Sequence, residues 1–361
     1  MQGKKIIVGL SGGVDSAVAA YQLTHAGHTV HGLFMQNWDD KDNHCSNAVD
    51  MQDAIHICNK LNLPFAAVNF SQAYMKKVFS CMLEDLNRGY TPNPDILCNQ
   101  EIKFKVLLEY VLAQQADFLA TGHYAQISIF HGQPALACAV DENKDQTYFL
   151  CRLPKTALQH ILFPIGRLQK PQVRQIAQSV ALKNAHKKDS TGICFIGERK
   201  FQDFISNYLL DKPGEILDTY GRVIGKHRGL FYYTIGQRKG LHIGGKLGYA
   251  EKPWFVIHKD KTTNQLHVAQ GADNPALFKQ ILIANRLHYL VEQDCLSTSF
   301  SAQARIRHRQ ALQNVKIIID GDQLQAIFTQ PQRAITPGQS IAIYQKNICI
   351  MSAIIQHAGP K

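Results

Sequence analysis

The chain has 361 residues, enough for two or three domains, and 45% hydrophobic with 19% charged residues is an ordinary balance for packed cores. Its formal net charge of +11 favours a polyanionic partner, of which nucleic acid is the commonest. No run of about 18 uncharged apolar residues occurs, and MQGKKIIVGLSGG lacks the apolar region and cleavage site of a signal peptide, so a cytoplasmic protein without a membrane span is expected.

KKIIVGL (Lys4 to Leu10) is a short apolar run with the pattern of a buried parallel strand. A helix is predicted over Val14 to Ala26, a second strand at HTVHGLFM and a helix over Ser46 to Leu61. PFAAVNF is a third strand, followed by helices over Gln72 to Leu86 and Lys103 to Gln115, and DFLATGHY is a fourth strand. Strands alternating with helices argue an α/β fold with a doubly wound parallel sheet, which binds ligands at the carboxyl ends of its strands. The pattern changes after about Gly197. WFVIHKD, QLHVAQG, VKIIIDGDQLQAIF and SIAIYQKNICIMSAII are short alternating segments, with plausible hairpin turns at Gly321–Asp322 and Lys346–Asn347. The expected organisation is a catalytic domain over 1–197, a small central domain over 198–275 and a β-barrel-like C-terminal domain over 276–361.

SGGVDS, Ser11 to Ser16, joins the first strand to the first helix. Gly12 and Gly13 let backbone approach an anion, and helix N-terminal amides with the Ser11 and Ser16 hydroxyls can hold phosphate. The loop is neither GxxxxGK[ST] nor GxGxxG, and no lysine follows it. It resembles the PP-loop ATP pyrophosphatases. That resemblance implies ATP contacts from Gly9, Leu10, Ser11, Gly12, Gly13, Val14, Asp15 and Ser16, with Met35 near the adenine and Gly122 lining the site. It also implies Mg²⁺, which Asp15 would help to place.

The nine cysteines form no CxxC pair, which argues against a structural zinc site, and a disulfide framework is not expected in a reducing compartment. Most read as small buried hydrophobes. Two stand apart. Cys98 closes TPNPDILC, where Pro92 and Pro94 are expected to hold an extended segment and Asn99 to cap the helix at Lys103. Cys194 lies in KKDSTGICFIGERK, flanked by Lys187, Lys188, Arg199 and Lys200. Both settings favour thiolate. Cys45 is the nearest rival, in the polar loop DNHCSNA.

NPDILCN, ATGHYA, NKDQTYFL, LQKPQVR, KKDSTGICFIGERKF, TIGQRKGL and TPGQS occur in this order. Together they resemble the tRNA-specific 2-thiouridylases, the MnmA family, from Gly9 to about Gln339. The resemblance implies a sulfurtransferase that replaces oxygen by sulfur at C2 of the wobble uridine of tRNA. Cys194 then matches the persulfide carrier, Cys98 the second catalytic cysteine and Asp95 the acid/base residue. Asn93, Pro94 and Asp95 match the segment touching the target base. His123, Lys144, Asp145, Gln146, Arg307, His308 and Gln339 match further tRNA contacts, with His308 standing where tyrosine is common. Implied partners are tRNA and a persulfide-donating sulfur-relay protein or cysteine desulfurase, acting on a monomer. A Cys98–Cys194 disulfide closes the implied cycle, whether sulfur passes directly or as released hydrosulfide. A third clear cysteine ligand for a metal cluster is lacking.

Residues 221–250 hold Arg222, Lys226, Arg228, Arg238, Lys239 and Lys246 without an acid, interleaved with Phe231, Tyr232, Tyr233 and Tyr249. Cations for phosphates and rings for stacking are expected there. In ARIRHRQ, Arg305, Arg307 and Arg309 are expected on one face of a strand. Two other classes remain open at this point: a PP-loop ligase for a small molecule, and a non-catalytic RNA-binding protein.

Overall fold

The computed structural model describes residues 3–38, 47–188, 201–245 and 247–359. Strand β1 (Lys5–Leu10) lies at the centre of a five-stranded parallel sheet because its side chains are buried on both faces. Ile6 and Val8 pack against helices α1 (Val14–His25) and α2 (Asn47–Leu61), while Ile7 faces the opposite layer. Strands β2 (Thr29–Gln36) and β3 (Phe65–Asn69) continue the sheet on one side.

The helix expected over 72–86 is present, whereas the one expected to start at Lys103 starts earlier. Helix α3 runs over 71–87, with its first amide at Ser71 donating to Asn69 Oδ1, 2.8 Å. Helix α4 runs over 94–113 and so begins nine residues before Lys103. The cause is local: Pro94 occupies the first helical position, where its missing N–H costs nothing, and Asn93 is the cap. Pro94 therefore opens a helix instead of bracing an extended strand. Asn99 is no cap; it is buried within α4, and its Nδ2 donates to Phe149 O, 3.0 Å. From Cys98 to Val106 the helix widens to i→i+5 bonding, a form that often marks functional segments.

Strand β4 (Phe118–Thr121) pairs with β1. Next comes a hairpin that the sequence reading did not foresee, β5 (Gln126–Phe130) and β6 (Gln133–Ala137), turned at His131 and Gly132 with φ of 47° and 78°. A short helix α5 (Thr147–Leu150), edge strand β7 (Ile161–Leu162) and helix α6 (Lys170–Ser179) complete the layer. After α7 (Phe201–Ile205), strands β8 (Gly214–Leu217), β9 (Val223–His227), β10 (Trp254–Asp260) and β11 (Gln265–Gln270) form a four-stranded sheet.

The C-terminal part is an antiparallel barrel of six strands: β12 (Phe278–Tyr289), β13 (Ser299–Arg305), β14 (Gln313–Asp320), β15 (Gln323–Arg333), β16 (Ser340–Gln345) and β17 (Ile348–Ala358). Pairing of β12 with β17 closes it. Both expected turns are present, since Asp320 pairs with Gln323 and Gln345 with Ile348. The β5–β6 hairpin extends this sheet beyond β17, so the first layer lends two strands to the last. Among the described residues no helix is long and apolar enough to cross a membrane.

The three parts meet at Thr91. Its N–H donates to Pro337 O, 2.9 Å, and its carbonyl accepts from Gln339 Nε2, 2.7 Å. Its hydroxyl lies 3.5 Å from both Thr234 Oγ1 and Lys259 Nζ. Gly338 makes this approach possible: its φ is +90°, and a Cβ there would stand 2.8 Å from Tyr90 Cβ and 2.9 Å from Thr91 N. Gly338→Ala therefore combines backbone strain with a backbone clash. It should cost about 1–3 kcal/mol, read as a lowered urea midpoint.

Candidate active site

The phosphate loop leaves β1 between strands and enters α1. Gly12 has φ +70°, and a Cβ there would lie 2.5 Å from Asp50 O, so glycine is required. Ser16 Oγ accepts from Ser11 N, 3.2 Å, donates to Gly13 O, 3.1 Å, and lies 3.4 Å from Ser11 Oγ, which ties the loop across its mouth. Gly122, just past β4, runs against the loop, since a Cβ would meet Ser16 N at 2.5 Å. Gly9 pairs with Thr121, Leu10 is buried, and Val14 roots the first turn of α1. Met35, half-buried near the end of β2, reaches the same edge of the sheet. Glycine backbone, two hydroxyls and a helix N-terminus fit a polyphosphate.

Asp15 does not simply face solvent. Lys170 Nζ lies 2.8 Å from both of its carboxylate oxygens, and Tyr124 OH donates to Oδ1, 3.0 Å. Behind the loop, Asn184 Nδ2 donates to Gly12 O, 3.1 Å, and Lys187 pairs with Asp50 and Asp53 at 2.8 and 2.7 Å. The sequence reading gave none of these side chains a role at the loop. LQKPQVR, which contains Lys170, was the available signal.

Beyond the loop stands the start of α4. Asn93 Oδ1 accepts from the amides of Asp95, 3.1 Å, and Ile96, 3.2 Å. Asp95 and Cys98 are three residues apart and so share one helix face. Burial raises the Asp95 carboxyl above its ordinary range, with Lys103 opposing the shift. Burial, then the charge of Lys103, pushes the His123 imidazole well below its ordinary value, so it is neutral near pH 7. Lys103 thus acts on both groups. His123 Nδ1 is 2.8 Å from Thr121 Oγ1 and its ring packs on Phe104 and Phe163. Phe104 of α4 packs on His123, the residue after Gly122, so this helix reaches the end of the sheet that carries the phosphate loop. Cys98 is 5% exposed, in the apolar cluster of Trp38, Met82 and Ile102.

The other expected contacts divide. Gln339 binds Thr91 O and receives Tyr148 OH at 3.3 Å, so it holds the segment leading to Asn93. Gln146 exchanges hydrogen bonds with the backbone of Tyr124, and Lys144 is half-buried beside it in the chain. Asp145 is not a surface group. It is 3% exposed and bound to Ala139 N, Thr147 and Arg305 Nη1, the last at 3.1 Å. The arginine stripe also fails: β13 ends at Arg305, which is buried, and Arg309 has φ +62°. Arg307 turns inward to Ile235 O, Ala334 O and Thr336 Oγ1, joining the central sheet to the barrel. His308 packs on Phe149 with the rings tilted by 38° and centroids 4.4 Å apart.

The basic aromatic stretch needs correction as well. Phe231, Tyr232 and Tyr233 are 5–7% exposed and belong to the core, so they cannot stack on RNA bases. Arg222 and Arg228 are paired with Asp218 and Asp211, acids that lie just before the stretch, and Tyr249 OH also binds Asp218. Lys226, Arg238 and Lys239 remain exposed. Cys194, Cys45, Arg199, Lys200 and Lys246 lie outside the described residues, and with Cys194 the expected disulfide.

Three family models cover the chain in order. They are described as the tRNA methyl transferase HUP domain, residues 4–198, the tRNA methyl transferase PRC-barrel domain, 202–270, and the aminomethyltransferase beta-barrel domain, 279–355. The chain is 50% identical over 358 residues to tRNA-specific 2-thiouridylase MnmA 1 of Geobacillus kaustophilus, covering 98% of this chain and 96% of that one. It is 49% identical over 361 residues to tRNA-specific 2-thiouridylase MnmA of Protochlamydia amoebophila, covering 99% and 94%.

Two substitutions check this geometry. Asn93→Ala removes the cap and should cost about 1 kcal/mol, with faster hydrogen exchange at the Asp95 and Ile96 amides that Asn93→Asp preserves. Arg305→Met strands a buried carboxylate at Asp145 and should cost about 3–5 kcal/mol in urea unfolding.

Proposed function

The chain belongs to the MnmA family of tRNA-specific 2-thiouridylases, and from that premise we propose that Asp95, Cys98 and Cys194 exchange oxygen for sulfur at C2 of a wobble uridine in tRNA. The enzyme is a tRNA 2-sulfurtransferase. One observation carries the residue assignment: Asp95 and Cys98 share a face of the helix whose Phe104 packs on His123, the residue after Gly122 at the phosphate loop.

The uridine C2 oxygen is a poor leaving group, and ATP supplies its activation as an adenylate with release of pyrophosphate. Asp95, with its raised carboxyl, is suited to take the N3 proton, which shifts electron density onto O2. The loop amides of Gly12 and Gly13 and the hydroxyls of Ser11 and Ser16 hold the phosphates. Asp15 and Ser16 offer the hard oxygens that Mg²⁺ prefers, and the ion would supply neutralisation of the departing pyrophosphate. Cys194 carries a terminal persulfide sulfur that adds to C2 as AMP leaves. Cys98 then attacks Cys194 Sγ, freeing the thiouridine and forming the Cys98–Cys194 disulfide. In the alternative order, Cys98 attacks first and the released hydrosulfide adds to C2. Both end in the same disulfide, which an external dithiol reduces with two electrons.

Asn93 and Pro94 would meet the extruded base and His123, Lys144, Gln146, His308 and Gln339 its surroundings, as in base flipping. Asp145 and Arg307 act behind them as positioning residues. A persulfide-donating relay protein or cysteine desulfurase would load Cys194. The catalytic unit over 1–197, the central unit over 198–275 and the barrel over 276–361 would work as one cytoplasmic monomer.

Thiolation of unmodified tRNA with ATP, Mg²⁺ and a persulfide source should be abolished by Cys194→Ser and by Cys98→Ser. Incorporation unaffected by Cys194→Ser overturns the mechanism. With Asp95 acting as a base, the single-turnover rate falls as pH drops through its raised pKa. Asp95→Asn should remove that acid limb and slow the step by about 10²–10⁴-fold.

A further inference from the structure

The loop that holds pyrophosphate has no lysine of its own, and its one charged side chain, Asp15, is an acid. A triphosphate brought against that carboxylate meets a like charge, which a cation from elsewhere in the fold would offset alongside Mg²⁺. Lys170 Nζ stands at that point, 155 residues along the chain. We infer that Lys170 is a pyrophosphate-binding residue of this site, with Asp15 holding its ammonium in place until the nucleotide arrives. The inference rests on the ATP reading of the loop.

Four observations carry it. The Lys170 side chain is 9% exposed and its ammonium is shared evenly by both Asp15 oxygens at 2.8 Å. Its backbone is pinned as well: Lys170 N donates to Asp141 Oδ2, 2.8 Å, and Gln169 and Gln172 cap α6 reciprocally. The rotamer entropy that a flexible lysine would lose on binding phosphate is therefore already spent in the folded protein. Finally, Asp15 has a second donor, Tyr124 OH at 3.0 Å, which stays in place when the ammonium turns to phosphate. Lys187, the other cation at the loop among the described residues, is engaged by Asp50 and Asp53.

The exchange conserves charge locally. An ammonium paired with a monoanionic carboxylate becomes an ammonium paired with a more highly charged phosphate chain, and the carboxylate is released toward the cation that accompanies ATP. No bond is made or broken. A purely structural Lys170–Asp15 pair would instead need only neutralisation of Asp15, and the two roles separate on removing both charges.

The test is calorimetric binding of ATP, inorganic pyrophosphate and AMP to the full chain without tRNA, the pyrophosphate titrations without Mg²⁺. Lys170→Met should weaken ATP and pyrophosphate at least about ten-fold and leave AMP within about two-fold, as loss of a charge-assisted contact to the leaving phosphates requires. Lys170→Arg should retain most of the affinity. Asp15→Asn, which releases the ammonium, should bind Mg²⁺-free pyrophosphate at least as tightly as the unaltered protein. If Lys170→Met fails to fold in a thermal scan, Asp15→Asn/Lys170→Met takes its place and should show the same selective loss. Unchanged ATP and pyrophosphate affinity in Lys170→Met, equal weakening of AMP, or restored pyrophosphate binding in the double variant each overturns the inference while leaving the ATP reading intact. An unaltered protein that binds neither ATP nor pyrophosphate overturns both.

Discussion

Helix α4 begins at Pro94 because the chain before it is held on every side. Thr91 is bonded to the barrel through Pro337 and Gln339, and two residues later Asn93 closes the first turn. Proline at the first helical position fixes φ and removes an amide that would otherwise need a partner. Everything chemical follows from that start. One turn of helix carries Asp95 to Cys98, and the same end of the sheet presents Gly122, His123 and the phosphate loop. The Asp95 carboxyl and the Cys98 thiol are thereby held in place by a cap and a barrel loop.

The first four strands of the parallel sheet were legible because they are mostly apolar runs alternating with helical stretches, a pattern that needs no tertiary context. Hairpins at Gly321–Asp322 and Lys346–Asn347 were legible for the same reason. The start of α4 was not, since Pro92 and Pro94 suggest extended chain unless one knows that Asn93 turns its side chain back to two amides. Nor was the β5–β6 hairpin, whose second strand finds its partner at Ile348, some two hundred residues on.

Charge was the least legible property. A window of thirty residues without an acid reads as an RNA face, yet Asp211 and Asp218 lie just outside it and neutralise Arg228 and Arg222. Asp145 matched a tRNA-contacting segment, but it is bound to the Arg305 guanidinium in the interior. The loop acid Asp15 similarly meets Lys170 from a distant helix. Linear sequence gives the sign of each side chain, while pairing is decided by which elements pack together. Burial misled in the same way for Phe231, Tyr232 and Tyr233: an aromatic run can serve a base or a core, and here the core takes it.

The hairpin lent by the first layer has a consequence for biosynthesis. Strand β6 pairs with β17, and Cys138 N donates to Asn347 O. The edge of β6 is thus made early by the ribosome but acquires its neighbour only once β17, some two hundred residues on, has been made. Thr91, likewise, receives Gln339 late. The helix bearing Asp95 and Cys98 thus gains its anchor at Thr91 only after Pro337 and Gln339 have been made. A segment early in the chain is therefore held by contacts whose partners lie more than two hundred residues later.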